Sequence, residues 1–143
     1  MKNMRKGKIV MLVIALSFSL FGELQARNDM DMLMEPKCWY FTKKLGVNFT
    51  RDSIIYIYKD NTGCRVLGRR LYYLSDEIDS VFNNTKVGKN KNGKYMIIED
   101  PKRNRSVLKN IKITESERIV ETLGNPPQKI RYVTCPNDVF KNK

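Results

Sequence analysis

The 143-residue chain contains no histidine. That absence removes Ser-His-Asp and Cys-His nucleophilic sites, histidine-ligated metals and histidine acid/base pairs together. No glycine-rich phosphate loop follows a strand and opens a helix, so the nucleotide-binding fingerprints are missing as well. Cysteine is scarce: Cys38, Cys64 and Cys135 are the three present, and none of their spacings is that of a zinc site. The longest apolar run, Ile9 to Phe21, is shorter than the ~20 residues a helix needs to cross a bilayer. Acidic residues are few, 15 against 27 Lys and Arg, which gives a net charge of +12.

What is present begins with Lys2, Arg5, Lys6 and Lys8, then the short apolar run, then Leu24-Gln25-Ala26. That order is the pattern of a cleavable secretory signal, with the cut after Ala26. Arg27 follows the cut where a lipid anchor would need cysteine, so the mature chain is expected to be exported, secreted or periplasmic, and not membrane-spanning. Losing residues 1–26 removes four cations and Glu23 and leaves 23 basic against 14 acidic residues, still +9. Residues 27–37, Met-rich and ending near Pro36, read as a flexible lead-in; 38–136 form one domain, and 137–143 a tail.

Beyond Cys38 the apolar residues recur mostly at the two-residue period of half-buried strands, in short segments parted by turn residues. The expectation is an all-β fold, an antiparallel meander forming a small barrel or sandwich of about seven or eight strands. Candidate strands are Cys38 to Lys44, Ser53 to Lys59, Cys64 to Leu74, Lys94 to Glu99, Ser106 to Thr114, Arg118 to Leu123 and Gln128 to Cys135. In the fifth, alternation puts Val107, Lys109, Ile111 and Ile113 on one face. Ile54-Ile55-Tyr56-Ile57-Tyr58 is rich enough in β-branched and aromatic residues to be buried on both. Gly68 predicts a bulge or bend. Asp60 to Gly63, Thr114 to Glu117 and Gly124 to Pro127 have hairpin length. Ser75 to Gly93 is polar, with one helical turn expected after Ser75.

An alternating sheet must cover its apolar side, and closing on itself is one way to do so. In a closed meander with an even number of strands the start of the first lies beside the end of the last, and Cys38 and Cys135 occupy those ends. That geometry favours a Cys38–Cys135 bridge with Cys64 free, although spacing alone allows all three pairings. Seven segments is an odd number, so one assignment is off or one strand crosses over.

Without histidine, acid/base chemistry falls to carboxylates, and the candidates Asp76-Glu77-Asp79 and Glu99-Asp100 adjoin polar loops rather than an apolar setting, which reads as solvated surface. Cys64 beside Arg65 has a cation but no base. Met30, Met32 and Met34 lack the Cys or His that would complete a soft-metal site. The expectation is no enzyme activity, no cofactor and no metal. Asn48-Phe49-Thr50 and Asn104-Arg105-Ser106 match the glycan acceptor pattern. Cations cluster at Lys86 to Lys94 and at Lys102, Arg103, Arg105, Lys109 and Lys112. Tyr56, Tyr58, Tyr72 and Tyr73 with Arg69 and Arg70 offer an interaction surface that combines stacking and charge.

Trp39 at the first strand, an Ile-rich strand running into Asp60-Asn61-Thr62-Gly63, and a closing hairpin from Arg118 to Thr134 ending in Lys129-Ile130-Arg131-Tyr132-Val133 resemble the small secreted lipocalin-like domains of bacteria. Lys37 stands two positions before Trp39, where lipocalins usually carry Gly. The resemblance implies a meander barrel whose interior holds a small apolar ligand or is filled by its own side chains. The expected function is therefore a non-enzymatic binding domain for a small apolar ligand or a cell-envelope component, with no nucleic acid. The alternative is a basic protein that binds an acidic polymer or an anionic surface.

Overall fold

The computed structural model describes residues 27–135. The expected signal segment and the tail lie outside the described residues. One helix, α1 (Asp29–Met34), precedes eight strands: β1 (Trp39–Tyr40), β2 (Leu45–Phe49), β3 (Ser53–Asp60), β4 (Gly63–Ser75), β5 (Tyr95–Asp100), β6 (Asn104–Ile113), β7 (Glu117–Thr122) and β8 (Lys129–Thr134). Each strand pairs antiparallel with its neighbours in sequence, and β1 also pairs with β8, so the meander closes into a barrel. No described helix is long and apolar enough to cross a membrane.

The eighth strand explains the odd count. The segment expected from Cys38 to Lys44 stops at Tyr40 and turns. The Thr42 hydroxyl accepts from the backbone N–H groups of Lys44 and Leu45, and the chain returns as β2, for which the sequence pattern gives no separate strand. Gly46 permits the return. A Cβ there would stand 2.7 Å from the Trp39 carbonyl and 2.8 Å from the Tyr40 ring. The bulge expected near Gly68 is present: Tyr56 pairs with Gly68 and Ile57 with Val66, leaving Leu67 as the extra residue.

Three apolar clusters follow from the strand faces. The interior holds Trp39, Val47, Phe49, Ile54, Tyr72, Leu74, Met96, Ile98, Val120 and Tyr132. Outside, Tyr73, Ile97 and Val107 lie under Phe82 and Val87 of the β4–β5 loop, and Cys38, Tyr40 and Ile57 form a smaller group with Ile55 and Cys135. Ile54 and Ile57 are thus buried on opposite faces of β3, as its composition implied. On β6 the expected faces are corrected. Val107 points outward and Leu108 inward, and a bulge between Asn110 and Lys112 then switches sides so that Ile113 points inward. Strict alternation cannot pass through a bulge, because the extra residue inverts every later face.

Residues 27–37 are not a plain lead-in. Asn28 caps α1 by accepting from the Asp31 N–H, and Met30 and Leu33 are buried in the barrel core. The helix plugs one end: the Trp39 indole N–H donates to the Leu33 carbonyl at 3.0 Å, and the Tyr72 hydroxyl donates to the Thr50 carbonyl at 2.7 Å with the Met30 sulfur 3.0 Å away. The β4–β5 loop holds the plug, since the Met30 N–H donates to the Lys91 carbonyl and the Asp29 N–H to the Asn92 side chain, both at 2.9 Å. The helical turn expected after Ser75 forms later in this loop, at Asn84–Lys86, where Asn83 caps it. The opposite end of the barrel is framed by the β1–β2, β3–β4, β5–β6 and β7–β8 connections.

Cys38 and Cys135 are bonded, with Cα atoms 5.2 Å apart and a sequence separation of 97, and Cys64 is free and exposed. The bridge sits at the seam where β1 meets β8, and the Cys135 N–H donates to the Cys38 carbonyl at 2.9 Å. A loop of that length gives a chain-entropy stabilisation of about 4.7 kcal/mol. Replacing Cys38 and Cys135 together with Ser should therefore lower the unfolding free energy by about that amount in a denaturant titration, whereas Cys64→Ser should change it by less than ~0.5 kcal/mol.

Candidate functional site

The inward faces of β2, β3, β4, β5, β7 and β8 converge on one charged side chain. Alternation along β7 sends Arg118 and Val120 into the barrel while Glu117 points out, where it pairs with Lys112 and Arg131. Arg118 is 1% exposed. Its guanidinium lies 5.2 Å from the ring centre of Phe49 and 5.1 Å from that of Tyr132, and an Nη2–H meets the Met96 sulfur at 3.3 Å. Its Nε–H has no acceptor, and no carboxylate among the described residues forms an ion pair with it.

Burial pulls the Arg118 pKa down to about 10, against the electrostatic influence of the Tyr132, Tyr72 and Tyr56 phenols, and the group remains charged at neutral pH. Burial likewise raises the pKa of all three phenols, so they stay protonated. Tyr72 already donates to Thr50, but the Tyr56 and Tyr132 hydroxyls have no hydrogen-bond partner among the described residues. On the inward faces of the described residues the fully buried polar atoms without a partner are one donor, the Arg118 Nε–H, and one acceptor, the Asn110 Oδ1.

The carboxylates that might have balanced the charge are held elsewhere. Asp100 accepts from the backbone N–H groups of Lys102 and Arg103 and from the Ser106 hydroxyl. Asp52 binds Thr50, Ser53 and Arg69, and Asp79 accepts from the Tyr73 hydroxyl and pairs with Lys86. These contacts hold all three acids below the usual carboxylate range, Ser53 acting most on Asp52, Lys86 on Asp79 and the Lys102 N–H on Asp100.

Beyond Arg118 the inward-facing side chains become less buried toward the unplugged end. Register sets the depth: Arg118 pairs with Ile113 and Tyr132 near the α1 end of β7, and the Val120–Ile130 and Leu108–Thr122 pairs follow toward the opposite end. Tyr56, Leu108 and Ile130 face inward there, packed on the core and only half-buried. Arg70 and Asp100 lie close enough to Tyr56 to act on its phenol. This end is a partly solvated mouth of apolar and aromatic side chains, and Arg118 lies deeper, closed off from solvent.

The expected tyrosine and arginine surface is not brought together. Tyr72 is buried inside the barrel and Tyr73 outside it beneath Phe82, with ring centres of that pair 5.2 Å apart. Tyr58 carries Arg65 over its ring at 4.9 Å, and Arg69 is turned to Asp52 and Ser53. Of the six residues, Tyr56 and Arg70 stand at the mouth. Burial separates the set because adjacent strand positions, such as Tyr72 and Tyr73, face opposite ways. Arg118 is absent from that expected set, and the available signal for it was its two-residue spacing from Val120. Cys64 lies against the buried Tyr40 hydroxyl, whose pKa is raised chiefly by desolvation. A shallow groove of about 410 Å³ runs over Tyr40, Phe41, Lys43, Arg131 and Val133 on the outer wall. No group of three or more metal-ligating side chains occurs among the described residues.

No protein-family model, curated protein or solved structure matches the chain.

An ionised group buried without a counterion costs several kcal/mol, and stacking on two rings returns about 2 kcal/mol each at best. Arg118 is therefore expected to be a net cost to the fold. Arg118→Met, similar in length and apolar, should leave the melting temperature unchanged or raise it by a few degrees; a calorimetric scan showing a large drop would mean that the guanidinium holds the barrel together.

Proposed function

We propose that the chain is an exported, non-enzymatic binding barrel that takes a small, largely apolar ligand through its open end, in the manner of the lipocalin-like domains it resembles. The observation that carries this reading is the asymmetry of the two ends. One is covered by α1 through Met30 and Leu33, and the other, where Tyr56, Leu108 and Ile130 face inward and are only partly buried, has no such plug among the described residues. Export is supported by the basic start and short apolar run, and the Cys38–Cys135 bridge suits an oxidising compartment.

The residue inventory supports the non-enzymatic part of this reading. The chain has no histidine, its carboxylates at 52, 79 and 100 are held ionised by local hydrogen bonds, and Cys64 has no base beside it. The alternative, binding of an acidic polymer, draws no specific support from the cation placement. Lys102, Arg103 and Arg105 stand at the mouth end while Lys109, Lys112 and the Lys86 to Lys94 loop stand toward the plugged end, and Lys86 is neutralised by Asp79.

The two readings part in a salt series. A neutral naphthylamine probe should bind saturably with an affinity that changes less than about twofold between roughly 50 mM and 500 mM salt, and Leu108→Lys at the mouth should weaken it at least about tenfold. Heparin binding that falls steeply with salt, with no probe uptake, would favour the polymer reading instead.

A further inference from the structure

Within the reading of the barrel as a ligand carrier, we propose that the ligand bears a carboxylate, and that Arg118 with the Tyr56 and Tyr132 hydroxyls is the anchor that receives it. The inference rests on that reading and adds the chemistry of the head group.

The interior presents a surplus that a neutral ligand would leave uncorrected. A guanidinium has five N–H donors and no acceptor. Here one Nη2–H faces only a thioether, a weak acceptor, and the Nε–H faces nothing. The Tyr56 and Tyr132 hydroxyls add two more donors without an acceptor among the described residues, and Arg118 influences both phenols. A buried, unpartnered N–H on an unbalanced positive charge, with two phenol hydroxyls within its electrostatic reach, is complementary to an anion.

Size and charge narrow the class. One cation matches one negative charge; a phosphate dianion would bring a second, unmatched charge into an apolar interior. The planar fork of the guanidinium also suits the two oxygens of a carboxylate. The guanidinium carbon lies over the Phe49 and Tyr132 rings, and the Nε–H is the part of the group left without a partner for the ligand to take. Depth sets the orientation. Arg118 lies nearer the sealed end than the Val120–Ile130 and Leu108–Thr122 pairs, so the head group enters first and the apolar remainder trails past Ile130, Leu108 and Tyr56 to the mouth.

The test uses dodecanoate and dodecan-1-ol, which share a chain and differ at the head, as competitors of the neutral naphthylamine probe at pH 7 in about 0.5 M salt. That salt suppresses attraction to the basic surface but screens a buried pair little. The purified protein should bind dodecanoate at least about tenfold more tightly than the alcohol. Arg118→Met should abolish this preference while keeping alcohol affinity within about twofold, and Arg118→Lys, which retains the charge without the fork, should fall between. Equal binding of acid and alcohol overturns the carboxylate anchor but leaves the ligand-carrier reading standing. Failure of both compounds and of the probe overturns that reading and the anchor with it. A preference that survives Arg118→Met places anion recognition elsewhere and also overturns the anchor. Should Arg118→Met not fold, the acid-to-alcohol ratio is compared between the wild type and Arg118→Lys: a large ratio that drops in the lysine variant supports the anchor, and an unchanged ratio overturns it.

Discussion

Closure of the sheet at the β1–β8 seam is the constraint on which the rest of the molecule depends. Only Trp39 and Tyr40 form β1, and each pairs on both sides, with Val47 and Gly46 of β2 and with Thr134 and Val133 of β8. Two residues are a slender join for an eight-stranded barrel, and the Cys38–Cys135 bridge immediately beside them ties the same two strands covalently. Once the seam is shut, the inward faces lose their access to water from the side. Whatever lies on them must be satisfied inside or reached through an end. Trp39 belongs to the seam and to the plug at once, since its ring lies in the core and its N–H is taken by Leu33 of α1.

That enclosure turns Arg118 from an ordinary strand residue into the dominant feature of the interior. On an open sheet its charge would be hydrated. In the barrel it is held between two aromatic rings, with Glu117 next to it pointing away and the flanking acids fixed in turns of their own. Such a group is expected to lower stability, and the proposed anchoring role would give it a reason, since donors prepared in advance spare the ligand the cost of ordering them. The plug contributes to the same end. By covering the α1 end it leaves the opposite end, where Tyr56, Leu108 and Ile130 are partly buried, as the side from which the proposed ligand would enter.

Much of this architecture was legible in the sequence, and the parts that were not have particular causes. Strand period, hairpin turns and the positions of the cysteines led to a closed meander and to the correct bridge. The first hairpin was missed because Phe41, Thr42, Lys43 and Lys44 look as strand-like as what precedes them, and the turn is made by a threonine hydroxyl rather than by Gly or Pro. The faces of β6 were misassigned because a bulge leaves no compositional mark among Asn110, Ile111 and Lys112. Residues 27–37 read as a leader because a six-residue helix has too little length to show a period, and its order comes from burying Met30 and Leu33 against the barrel. The charged centre of the site was the least legible. In Glu117-Arg118-Ile119-Val120 either face has one aliphatic residue, so alternation alone does not say whether arginine or isoleucine points in. The choice is made by register with β6 and β8, which is a property of the closed sheet.

The claim that an unpaired guanidinium waits inside the barrel for an anion is open to direct observation by nitrogen-15 NMR of arginine side chains. The Nε–H of Arg118, assigned by its loss in Arg118→Met, should give a resolved signal protected from exchange with water, still present at pH 9, and it should shift when dodecanoate is added but not when dodecan-1-ol is added. A signal that exchanges as fast as those of surface arginines, or one that ignores the carboxylate, would contradict it.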